Sequence, residues 1–172
     1  MKTPAAWKAS LLDSLNQVDA EAVHWIETRR VKIGFLKQSD ATAAIWTLGQ
    51  RIYLNPKYFS PMTPPNDPRI LAILCHEVCH LRQGVFTAMS VYGELEAWQL
   101  GFRIEQNLSG RTLPPVIEEM LTLPLNLDRK VLEHARQLML AYAGKGYRAD
   151  LLPLYPLGKE IKFWLKKIVA HA

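Results

Sequence analysis

His76, Glu77 and His80 stand in the order His-Glu-x-x-His within the stretch DPRILAILCHEVCHLRQG, residues 67–84. Four residues apart on a helix, two side chains lie one above the other on the same face. Two imidazoles can then share one ion, with Glu77 beside them to take a proton from a water held by that ion. The same residue types would also be satisfied as two packed core histidines flanking a surface glutamate. The stretch carries its own helix signals: Asp67 as N-cap, Pro68 at the first helical position and Gly84 to stop it. Ile70, Leu71, Ile73, Leu74, Val78 and Leu81 make it a central, buried helix.

An ion that activates water wants three protein ligands and an open position, so the chain must supply one more. Glu94, Glu96, Glu105 and His134 are the candidates. Glu94 and Glu96 follow His80 closely enough for a second helix to fold back across the first. Two apart, they point about 200° from each other, so only one faces the ion. Glu94 shares its face with Ala97 and Gly101, which let two helices approach closely; Glu96 shares its face with Gln99 and Arg103, a more solvent-directed set. Glu94 is the expected ligand. For a developing oxyanion, Tyr92, His134, Tyr147 and Arg148 are conceivable donors, and spacing does not choose among them.

The elements that must hold these groups can be read along the chain. Thr3-Pro4 opens a helix with Trp7, Leu11, Leu15 and Val18 at helical spacing, and Asp19 restarts it through Val23 and Ile26 to about Arg29. His24 reads as a surface or packed histidine. Residues 31–37 form a strand, and 44–48 and 51–55 a hairpin around Gly49-Gln50 with glycine at the first turn position. A proline-rich loop (Pro56, Pro61, Pro64, Pro65) leads into the motif helix. Helices follow at about 90–108, 116–121 and 128–143, the last with Val131, Ala135, Leu138 and Tyr142 on one face. An amphipathic helix over 159–170 sets Ile161, Trp164, Leu165 and Ile168 against its lysines, and is expected to dock on its own domain rather than a membrane surface. Strands that do not alternate with helices make this an α+β domain. Residues 1–172 read as one domain, with a core at 31–108 and a helical extension at 111–172.

With 172 residues and 49% apolar content the chain can bury a substantial core. The net charge of +5 is concentrated near the C-terminus (Lys145, Arg148, Lys159, Lys162, Lys166, Lys167) and reads as a solvated face. No basic run interleaved with aromatics suggests nucleic acid. Cys75 and Cys79 both lie in the motif helix, rotated about 100° from the histidines, and read as small buried apolar residues. Two cysteines without a spaced framework fit a cytoplasmic setting, and no apolar run is long enough to span a membrane.

His76-Glu77-Val78-Cys79-His80 followed by Glu94-Leu95-Glu96-Ala97 resembles the gluzincin metallopeptidases, and the hairpin just before the motif helix is similar to the minigluzincins. The resemblance covers residues 31–108. It implies a zincin-like fold in which His76, His80 and Glu94 bind Zn2+ and Glu77 activates water to cleave a peptide or protein substrate. It further implies that a sheet edge, Arg51 to Asn55, holds the substrate by strand addition. Those families place Asp after the alanine, where it steadies the first histidine; here the position is Trp98, so His76 needs another partner. Two other readings stay open: a latent gluzincin-like protein with a C-terminal latch, and a non-enzymatic module stabilised by zinc.

Overall fold

The computed structural model describes residues 4–169, and all their side chains except those of Lys145 and residues 166–169. Two helices open the chain, α1 (Pro4–Asn16) and α2 (Ala20–Thr28). Asp19 caps α2, its carboxylate accepting from the Ala22 amide at 2.9 Å, so the expected restart occurs there. The expected cap at Thr3 lies outside the described residues.

Strands β1 (Lys32–Phe35), β2 (Ala44–Thr47) and β3 (Arg51–Leu54) form a mixed sheet in the order β1-β3-β2. β3 pairs antiparallel with β2, Thr47 opposite Arg51, and parallel with β1, Lys32 opposite Arg51. The expectation that Arg51 to Asn55 forms a substrate-binding edge is therefore overturned: β3 is the central strand, hydrogen-bonded on both sides. The hairpin turn also differs from the expected two-residue form. Three residues, 48–50, separate the paired ends, and Gln50 rather than Gly49 takes the left-handed conformation, at φ 54°. Asn55, at the end of β3, is buried and donates its side-chain amide to the carbonyls of Ser39 and Thr42, tying down the loop before β2.

Helix α3 (Pro68–Gln83) carries the motif and has the expected ends, with the Asp67 carboxylate accepting from the amides of Arg69 and Ile70. The short α4 (Val85–Ala88) then turns the chain into α5 (Val91–Ser109), capped by Ser90 at one end and by Gly110 in the left-handed region at the other. Two close approaches fix α5, one to α4 and one to α3. A Cβ on Gly93 would stand 2.1 Å from the Thr87 carbonyl oxygen, and one on Gly101 would stand 3.2 Å from the Ala72 oxygen and 3.5 Å from the Cβ of His76. The small-residue face anticipated around Glu94 is what α5 lays against α3.

Beyond α5 come α6 (Pro115–Thr122), α7 (Arg129–Ala143), two short 3-10 turns and α8 (Leu157–Val169). The buried stripe of α7 is Leu132, Ala135, Leu138 and Met139. Val131 and Tyr142, expected on that stripe, lie at its margins, because α7 packs on both α5 and α6 and turns its face between them. On α8, Phe163 makes the contact with the body, against Tyr155 at 5.7 Å between ring centroids, while Ile161, Trp164 and Leu165 stay exposed. Docking by that apolar stripe is thus not what holds the helix, and the side chain of Ile168 lies outside the described ones. No described helix is long and apolar enough to cross a membrane.

Two apolar clusters result. One joins α1, α2, the sheet and the inner face of α3 (Leu11, Ile52, Leu54, Leu74); the other joins the far side of α5 with α6 and α7 (Leu95, Trp98, Ile117, Leu132). Helices α3 and α5 lie where the two clusters meet. Replacing Gly101 by leucine forces side-chain volume between these helices and is expected to cost about 1–3 kcal/mol of stability, read as a lower urea midpoint at unchanged slope.

Candidate metal centre

On α3 the first-turn cap and an apolar surface facing the sheet set the rotation of the helix, and that rotation directs His76 and His80 toward α5. Their Nε2 atoms lie 3.0 Å apart. Glu94, in the first turn of α5, completes the group: Oε1 is 3.6 Å from Nε2 of His80, and Oε2 is 3.8 Å from Nε2 of His76. The three ligand atoms lie within 4.8 Å of one another. Two imidazole nitrogens and one carboxylate oxygen brought together in this way could hold a metal ion. Glu96 and Glu105, weighed against Glu94, stand away from the pair. His134 is bound instead to Glu119 at 2.7 Å, and His24 is on the surface.

The hydrogen bonds around His80 determine which of its nitrogens faces an ion. The side-chain NH2 of Gln83 donates to the Gly93 carbonyl at 3.0 Å and to Glu96 Oε2 at 2.9 Å, both of which can only accept. The Gln83 oxygen must therefore face Nδ1 of His80, 3.1 Å away, and Nδ1 must carry the proton. Nε2 is thereby the nitrogen available to an ion. Glu96, expected to point to solvent, acts here through Gln83. Its neighbour Gln99 is buried rather than solvent-directed, donating to the carbonyls of Met120 and Leu123 on α6. For His76 the partner is the backbone at Ala97.

The electrostatics follow from burial. Desolvation, then the neighbouring His80, push the His76 pKa down to about 3, which favours the neutral imidazole that a metal ion would need. Desolvation also works against a charged His80, but the hydrogen bond and charge of Glu94 outweigh it and raise its pKa. The Glu94 carboxyl is held below its ordinary value although burial opposes this, because His80, His76 and the Tyr147 hydroxyl favour the anion. The same carboxylate that favours a proton on His80 would favour a metal cation there, so the two compete for one place.

Glu77 is 3% exposed. Burial raises its pKa to about 8, offset in part by His80 and by the backbone at Trp46. A carboxylate so desolvated is a stronger base than one in water, and a nearby cation would restore its charged form. Trp46, on β2, also sets its ring 5.9 Å from that of His80.

Comparison with protein-family models, curated proteins and solved structures finds no match to this chain. Its chemistry is read from its own geometry.

Among the four conceivable oxyanion donors, Tyr147 reaches the site: its hydroxyl donates to Oε2 of Glu94. Arg148 is exposed and lies 3.5 Å from Asp150, and His134 is engaged elsewhere. Spacing offers no reason to prefer Tyr147, which is 53 residues from Glu94. Gln83 was also unforeseen, although its place three residues after His80, on the same helix face, is a signal available in the sequence.

Cys75 and Cys79 are free and buried, as expected; Cys75 packs in the cluster with the sheet, and Cys79 Sγ accepts from the side-chain NH2 of Gln83 at 3.4 Å. Burial raises both thiols to about 12. At pH 8 the thiolate fraction is then on the order of 10⁻⁴. A thiol–disulfide reagent should label neither cysteine in the folded protein and both in denaturant, as counted by absorbance; rapid labelling without denaturant would contradict the burial of α3.

Proposed function

We propose that the protein is a metal-dependent peptide hydrolase in which His76, His80 and Glu94 hold Zn2+ and Glu77 is the general base. One observation supports this above the rest: two imidazoles and a carboxylate from two helices converge, while a second carboxyl, that of Glu77, is buried beside them without joining the group. A packed core would not need that residue ionisable. Burying a carboxyl costs free energy, and such a cost is commonly retained where the chemistry uses the group.

Bound zinc would supply Lewis acidity to a carbonyl oxygen and lower the pKa of water. The chain's own residues do the rest. Glu77 takes the proton from the attacking water and passes it to the leaving amine. His80 is kept in one tautomer by Gln83. The substrate strand belongs along β2, which lies at the sheet edge and whose Trp46 borders both Glu77 and His80. Main-chain pairing there recognises an extended peptide by its backbone.

Glu77→Gln preserves shape and is expected to retain one equivalent of zinc while peptide cleavage falls about 10²–10⁴-fold. Full turnover in that variant, with metal bound, would remove Glu77 from its role. Chelation separates this reading from a structural zinc module. With two apolar clusters independent of the ion, the helical circular-dichroism signal should survive metal removal and activity should not. Unfolding on chelation would favour the structural role.

A further inference from the structure

The C-terminal part of the chain enters the metal centre through one side chain. Tyr147 sits in the 3-10 turn Lys145–Tyr147, directly after α7. The turn is pinned at both ends by residues with positive φ, Gly144 at 75° and Arg148 at 60°. Between them Gly146 is pressed against the loop before β2, since a Cβ there would meet the Cβ of Ala41 at 2.9 Å. The Tyr147 ring lies edge-on to Trp98, 5.0 Å between centroids.

The hydrogen bonds have one direction. The indole Nε1–H of Trp98 can only donate, and it donates to the Tyr147 oxygen at 2.6 Å. The hydroxyl proton is thereby left for Glu94, where Oε2 accepts it. Tyr147 thus engages one carboxylate oxygen of Glu94, and Oε1, the atom nearer His80, is not shared with it. Trp98 occupies the place after Ala97 and is 5% exposed, so its N–H is spent on this contact rather than on solvent.

We propose that Tyr147, oriented by Trp98, is a positioning residue that fixes Glu94 as a ligand through a single oxygen, Oε1. The C-terminal part is then a component of the metal centre. It is not a latch lying over a finished one. The inference rests on the metal-site reading given above, with support moved from the first histidine to the carboxylate ligand.

The test uses the full-length chain with zinc and, for spectroscopy, cobalt(II). Tyr147→Phe keeps the ring and removes the hydroxyl; its zinc affinity, measured by competition with a chromogenic chelator, is expected to fall about 10–100-fold. Release of Oε2 lets both carboxylate oxygens reach the ion, so the cobalt absorption bands of Tyr147→Phe should weaken and shift toward those of a higher coordination number. Trp98→Phe, which retains an aromatic ring without the N–H, should move affinity and spectrum in the same direction by less. Glu94→Gln serves as the reference. If it loses zinc while Tyr147→Phe and Trp98→Phe keep wild-type affinity and spectrum, the positioning role is overturned and the metal site stands. If Glu94→Gln binds zinc as the wild type does, the metal-site reading itself fails.

Discussion

The structure depends on the close crossing of α3 and α5. Where Gly101 passes Ala72 and His76, no side chain separates the helices. Backbone contact at that point fixes the distance between the histidines on one helix and Glu94, almost two turns before Gly101, on the other. The rest of the fold can be understood as support for that approach. The sheet and the first two helices give α3 an apolar bed; α6 and α7 do the same for the far face of α5. Each helix has one face in its own cluster and another against its partner. Neither can rotate without exposing core residues, and the site inherits that rigidity.

A group of ionisable side chains lies in this crossing, and ordinary packing would exclude it. Interior charges are stabilised only when hydrogen bonds and opposite charges replace the water they lose. Here the replacements form two short chains of contacts. Glu96 and the Gly93 carbonyl orient Gln83, which orients His80. Trp98 orients Tyr147, which orients Glu94. Glu77 has the charge of His80 and a backbone contact at Trp46, which offset its burial only in part. An unshared, desolvated carboxyl beside converging ligands is a poor way to stabilise a fold and a good way to hold a base. That contrast between a supported His/Glu group and its less supported neighbour is what the proposed function rests on.

Placing β2 at the edge has a further consequence. A three-stranded sheet has one interior strand, and here it is the last in sequence, paired parallel on one side and antiparallel on the other. The hairpin loop brings β2 back beside the motif helix, so the strand nearest the histidines is also one with a free side. A hairpin alone is compatible with either of its strands lying outermost. The pairing of β1 with β3 decides the matter, and it depends on a connection of eight residues whose course the pattern of apolar residues does not reveal.

The sequence by itself determined the local features. Asp67, Pro68 and Gly84 bound α3, Asp19 and Ser90 cap their helices, and the four-residue spacing puts His76 and His80 on one face. These follow from helical geometry and capping, which act over a few residues. That Glu94 rather than Glu96 would come beside the two histidines was also legible, because Ala97 and Gly101 share its face and small residues mark a close crossing. Tertiary structure alone decided the strand order, the buried face of α7 and the course of α8. It also decided the turn in which Gln50, not Gly49, adopts positive φ. It brought Tyr147 to Glu94 and placed Trp46 beside Glu77, contacts between residues far apart in the chain. Periodicity records which side of an element is apolar, but not which neighbour covers it; that is settled only when the two clusters close around the helices they share.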